Sequence, residues 1–68
     1  MPKYYVNKKA QSNGVHEVHK ERCFYMPKPH NRLYLGEFTS CHGAMREARK
    51  HYSQSNGCYY CSYECHTT

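Results

Sequence analysis

The chain has 68 residues, with eight Tyr, two Phe, no Trp and five Cys, and a formal charge of +5 with His neutral. That length allows one domain, often marginal at this size, and a core this poor in apolar residues needs a metal or disulfide staple. No stretch approaches the roughly 18 apolar residues of a membrane span, and Met1-Pro2-Lys3-Tyr4 opens no apolar leader. The expected location is therefore a reducing cytoplasm, where close cysteine spacing means metal rather than disulfide.

In chain order, Lys3-Tyr4-Tyr5-Val6-Asn7 is aromatic and β-branched and predicts a strand. Ser12-Asn13-Gly14 supplies the positive φ of a hairpin turn. Val15 to His19 alternates as the returning strand. It puts Val15, Glu17 and His19 on one face and His16 and Val18 on the other. Cys23 follows just past a tight bend. Phe24 to Arg32 holds Pro27 and Pro29 and predicts loop. Arg32 to Gly36 is a short third strand.

One helix is expected from Cys41 to Tyr52, capped by Thr39 or Ser40. Cys41, Ala44, Met45, Ala48 and Tyr52 form its apolar stripe. Arg46, Arg49, Lys50 and His51 suit the negative C-terminal end of the helix dipole. Ser53 to Gly57 reads as a turn. Residues 62–68 read as a short tail outside a core spanning about residues 4–61 of a single domain, 1–68. With only two Leu and no Ile, Tyr is expected to fill much of the core.

The chemistry-bearing feature is a split ligand set. His19-Lys20-Glu21-Arg22-Cys23 is H-x-x-x-C, and Cys58-Tyr59-Tyr60-Cys61 is C-x-x-C. Three thiolates and one imidazole complete the tetrahedral shell of structural Zn2+ and leave no open position. Cys65, His66, Cys41 or His16 remain alternatives to His19 as the fourth ligand. With one Zn2+ on three thiolates the formal charge falls to about +4.

This order resembles the zinc-binding domain family typified by the N-terminal metal domain of the Ada DNA-repair protein, also appended to some thermonuclease-like proteins. The resemblance rests on Val18-His19, Cys23, the Phe38-Thr39-Ser40 helix entry, Ala44, Ala48, and Gly57-Cys58 with Cys61. It covers about Tyr4 to Cys61. It implies a small α+β fold of a β-hairpin and one helix around one structural zinc, to which the residues themselves add a third strand. It also implies association with DNA-repair or nuclease proteins. In the Ada domain the first Cys of the C-x-x-x-C pair takes a methyl group from a DNA phosphotriester. His19 stands there, so that chemistry does not carry over. The chain also resembles small uncharacterised bacterial proteins made of this module alone, which imply no function.

No catalytic constellation emerges. His16-Glu17-Val18-His19 has its histidines three apart in a strand, whereas the H-E-x-x-H metalloprotease motif needs them four apart on a helix. Cys65-His66 are adjacent, and catalytic Cys and His come together from distant positions. Cys41 reads as a small buried hydrophobe, and a Cys41–Cys65 contact is the expected alternative to a free tail. The first functional expectation is a non-catalytic nucleic-acid-binding module contacting phosphates through Lys20, Arg22, Arg46, Arg49 and Lys50. Tyr59, Tyr60 or Tyr63 would stack on bases. The second is a protein-interaction module with a Tyr-rich surface. The third is a thiol-redox or metal-responsive protein using Cys41 and Cys65. No membrane or small-molecule substrate is implied.

Overall fold

A computed structural model describes residues 1–67. Its elements in order are β1 (Lys3–Asn7), β2 (His16–Lys20), β3 (Arg32–Glu37), α1 (Cys41–His51) and β4 (Ser55–Gly57). Single 3-10 turns lie at Pro29–Asn31 and Tyr63–Cys65. The sheet order is β3-β1-β2-β4. β1 runs antiparallel to both β2 and β3, and β4 runs parallel to β2. The fold is the expected small α+β domain, with four strands.

Each element follows from its residues. Gly14 takes φ +85° in the β1–β2 connection, a conformation that costs glycine little. β1 and β2 pair Val6 with Val18 and Tyr5 with His19. The β1–β3 register slips between Tyr4 and Tyr5, opposite Gly36 at φ +126°. That is a bulge of the kind glycine permits. Ser40 Oγ accepts the His42 amide at 3.3 Å and caps α1, and Arg49, Lys50 and His51 lie in its last turn.

The core lies between the sheet and α1. Tyr4, Val6, Val18 and Leu35 come from the sheet, and Cys41, Ala44, Met45 and Ala48 from the helix. Cys65 completes it from the last turn. The small side chains of Ala44 and Ala48, both fully buried, let the helix approach the strands closely.

Three expectations are corrected. Tyrosine does not fill the core. Tyr4 alone is buried, while Tyr25, Tyr34, Tyr59, Tyr60 and Tyr63 are exposed. Four of these sit on turns whose cysteines face inward, which aims the neighbouring side chains out and keeps their hydroxyls in water.

Residues 62–67 are not a loose tail, and the alternative of a Cys41–Cys65 contact is the one that holds. Cys65 is bonded to Cys41 with S–S 2.04 Å. The His66 ring meets the Gly57 carbonyl through Nδ1 at 3.0 Å, and the Thr67 amide donates to Asn56 Oδ1 at 3.0 Å. Cys41 is accordingly buried but not free. Finally, Ser55-Asn56-Gly57, read as turn, is the edge strand β4.

Candidate metal centre

His19 is positioned by the end of β2. Alternation along the strand puts it and Glu17 on the face opposite Val18, away from the helix-side core. The Cys23 amide donates to the Lys20 carbonyl at 3.1 Å and closes a tight turn. Arg22 in that turn has φ +66°, the left-handed region that a non-glycine residue seldom occupies. This bend folds Cys23 back beside His19.

Cys58 follows β4 directly. Its amide donates to the Val18 carbonyl at 2.9 Å, one step past the parallel ladder. Cys58 therefore lies alongside His19. The Ser62 amide then donates to the Cys58 carbonyl at 2.9 Å, wrapping the chain so that Cys61 returns to the group.

The ligand atoms of His19, Cys23, Cys58 and Cys61 all lie within 4.8 Å of one another. Cys23 Sγ is 3.9 Å from Cys58 Sγ, and Cys61 Sγ is 3.8 Å from His19 Nδ1. Metal–sulfur bonds of about 2.3 Å at tetrahedral angles would put two sulfurs roughly 3.8 Å apart. The four side chains are thus close enough, and of the right chemistry, to hold one metal ion. The Lys20 amide also donates to Cys61 Sγ at 3.3 Å, an interaction that favours a thiolate there.

The electrostatics agree with that use. His19 is 1% exposed, and burial pushes its pKa down to about 4. The imidazole is neutral, with Nδ1 facing the sulfurs. Burial pushes the Cys58 and Cys61 thiols up, so they hold their protons until a cation displaces them. His19 Nε2 is buried without a hydrogen bond and lies 3.7 Å from Glu17 Oε1.

A ligating histidine directs its second nitrogen at a carboxylate, carbonyl or water, and losing that partner lowers metal affinity roughly 10- to 100-fold. Glu17→Gln is expected to weaken metal binding by that factor at unchanged stoichiometry. Competition against a chromophoric chelator measures it, and wild-type affinity in the variant would remove Glu17 from the site.

The alternatives to His19 lie elsewhere. His16 Nδ1 is 2.9 Å from the Asn7 carbonyl, and its ring stacks on Tyr52. His66 is held at Gly57. Cys41, His42 and Cys65 form a second close group, but both sulfurs are spent in the disulfide.

The five basic residues lie on two separate segments of the chain. Lys20 and Arg22 are exposed at the metal turn, and Arg46, Arg49 and Lys50 are exposed on α1. Arg46 and Arg49 border a shallow cavity shared with Glu64, and Lys50 Nζ is 3.3 Å from Glu47.

Glu17 and the exposed Phe24 and Tyr25 were missed as site features by sequence reasoning, whereas Tyr59, Tyr60 and Tyr63 were expected at the surface and are exposed. The available signal for the missed three was their adjacency to the ligands. No family model matches the chain, and neither curated proteins nor solved structures match it significantly.

Proposed function

We propose that this chain is a structural-zinc domain that binds nucleic acid and carries out no catalysis of its own. The observation carrying the reading is the four-donor cluster of His19, Cys23, Cys58 and Cys61, with exposed Lys20 and Arg22 on its turn. Three sulfurs and one nitrogen suit Zn2+ above harder cations. Four protein donors fill a tetrahedral shell, so no position is left for a substrate or an activated water. The resemblance to the Ada-type metal domain supports the same reading, with His19 in place of the methyl-accepting cysteine. The three free thiols of the site suit a reducing compartment, whereas the Cys41–Cys65 disulfide suits an oxidising one, against the cytoplasmic expectation.

Titration of the zinc-loaded protein with short DNA and RNA tests the reading. Binding is expected to be weak and largely sequence-independent. With three to five phosphate contacts, log K should fall against log salt with a slope of roughly −2 to −5. No binding at low salt and micromolar protein would overturn the nucleic-acid reading. A protein-interaction module, favoured by the five exposed Tyr, would then take its place.

A further inference from the structure

The two metal turns carry a continuous strip of exposed aromatic rings. Phe24 is 92% exposed, although the chain has only two Phe and a thin core. Phe24 meets Tyr25 edge-on at 5.3 Å, and Tyr25 stacks on Tyr60 at 4.4 Å and 27°. Tyr60 meets Tyr59 edge-on at 5.2 Å, and Tyr59 meets Tyr63 edge-on at 5.1 Å. Phe24 and Tyr25 follow Cys23, while Tyr59 and Tyr60 lie between Cys58 and Cys61. The Tyr25–Tyr60 stack therefore joins the two turns that the four ligands bring together.

We propose that this strip is a stacking platform for the unpaired bases of a single-stranded nucleic acid. The inference rests on the nucleic-acid reading above and assigns its surface and strand class. Tyr25 and Tyr60 cover one face of each other yet remain 51% and 67% exposed, and rings that brace one another lose little further freedom when a base lands on them. Every base has a π face, so such a platform is tolerant of sequence.

Charge decides between nucleic acid and a protein partner. Lys20, Arg22 and Lys28 are exposed in the segment that carries Phe24 and Tyr25. The one carboxylate there, Glu21, accepts the Lys3 amide at 3.1 Å. Glu64 lies at the far end, next to Tyr63. A backbone of phosphates fits the cationic end, and bases paired inside a duplex cannot reach the rings.

The test titrates the zinc-loaded full chain with oligothymidylate and oligouridylate about eight nucleotides long, and with a duplex and inorganic polyphosphate of similar length. Tyrosine emission and ring-proton shifts report stacking. Both single strands are expected to bind, with a salt slope of roughly −2 to −3.5, and to quench tyrosine emission. Polyphosphate, which has no bases, should bind more weakly and leave the emission unchanged.

Tyr25→Ala and Tyr60→Ala should each weaken single-strand binding roughly 5- to 150-fold, the range that one stacked base is worth. Tyr25→Phe should retain it. Zinc content, unchanged in all three, shows that the fold is kept. If both strand types bind and only neutralising Arg46, Arg49 and Lys50 weakens them, this inference is overturned and the nucleic-acid reading stands. If no oligonucleotide binds, both fall.

Discussion

Chelating zinc from the protein is expected to unfold it, as is replacing Cys23, Cys58 or Cys61 by Ser. A domain of this length has a total stability of only roughly 3–10 kcal/mol. Structural Zn2+ contributes apparent binding free energies of about 10–16 kcal/mol at neutral pH, so folding and binding become one event. The geometry says which chain segments separate. The metal would tie the end of β2 to the turn after β4, and β4 is a three-residue edge strand with little packing of its own.

Cys41→Ala should behave differently. It removes a cross-link of sequence separation 24, for which the loop-entropy relation gives about 3.5 kcal/mol. That variant should melt earlier yet keep one zinc per chain. Amide dispersion in NMR spectra and metal analysis separate the two behaviours. A chelated sample that stays dispersed, or a Cys41→Ala protein that loses its zinc, would defeat the assignment.

Gly57→Ala is expected to be the most damaging single methyl in the chain. A Cβ at Gly57 would lie 2.6 Å from the Ser62 carbonyl oxygen, 2.7 Å from Cys65 Cβ and 2.8 Å from the Cys65 carbonyl carbon. Two of these atoms are backbone, so no side-chain rotation relieves the clash. Gly57 pairs with Val18 and precedes Cys58. If β4 yields, Cys58 leaves the metal site; if the last turn yields, Cys65 pulls against Cys41.

Ordinary overpacking costs about 1–3 kcal/mol, and here the loss should reach or exceed the top of that range. Gly43→Ala is the control. The nearest atoms to its added Cβ would all belong to the Phe38 side chain, the closest at 2.8 Å. That side chain is only partly buried, and alanine favours a helix interior by up to about 1 kcal/mol. Thermal melts of the zinc-loaded proteins should show a large drop for Gly57→Ala and little change for Gly43→Ala. Similar melts for the two would refute the close packing at Gly57.

Much of this architecture is legible from local signals. The apolar spacing of Cys41, Ala44, Met45 and Ala48 marks the buried side of α1, and alternation in β2 separates His19 from Val18. The ligand pairs are visible because each sits within one turn of chain, where spacing dictates geometry. What stays hidden is set at long range. Ser55-Asn56-Gly57 has the composition of a turn, and only parallel pairing with β2 makes it a strand.

Tyrosine hides its placement for another reason. Its ring suits a core and its hydroxyl suits water, so composition does not say which of the eight stays outside. Cys65 likewise reads either as tail or as a partner of Cys41 until α1 brings Cys41 within a Cα–Cα distance of 6.3 Å.

The two cross-links of this small fold need opposite chemistry, and that imposes an order of maturation. Joining Cys41 to Cys65 removes two electrons and two protons. The three thiols around His19 must keep their electrons and release only protons to solvent as a metal ion takes their place. Cys23 Sγ and Cys58 Sγ stand 3.9 Å apart, near enough for an oxidant to join them after a small shift. Metal arriving first shields those sulfurs and leaves oxidation only the remote pair. Oxidant arriving first can capture ligands in pairs, and because five cysteines cannot all pair, at least one sulfur is stranded whichever partners are chosen.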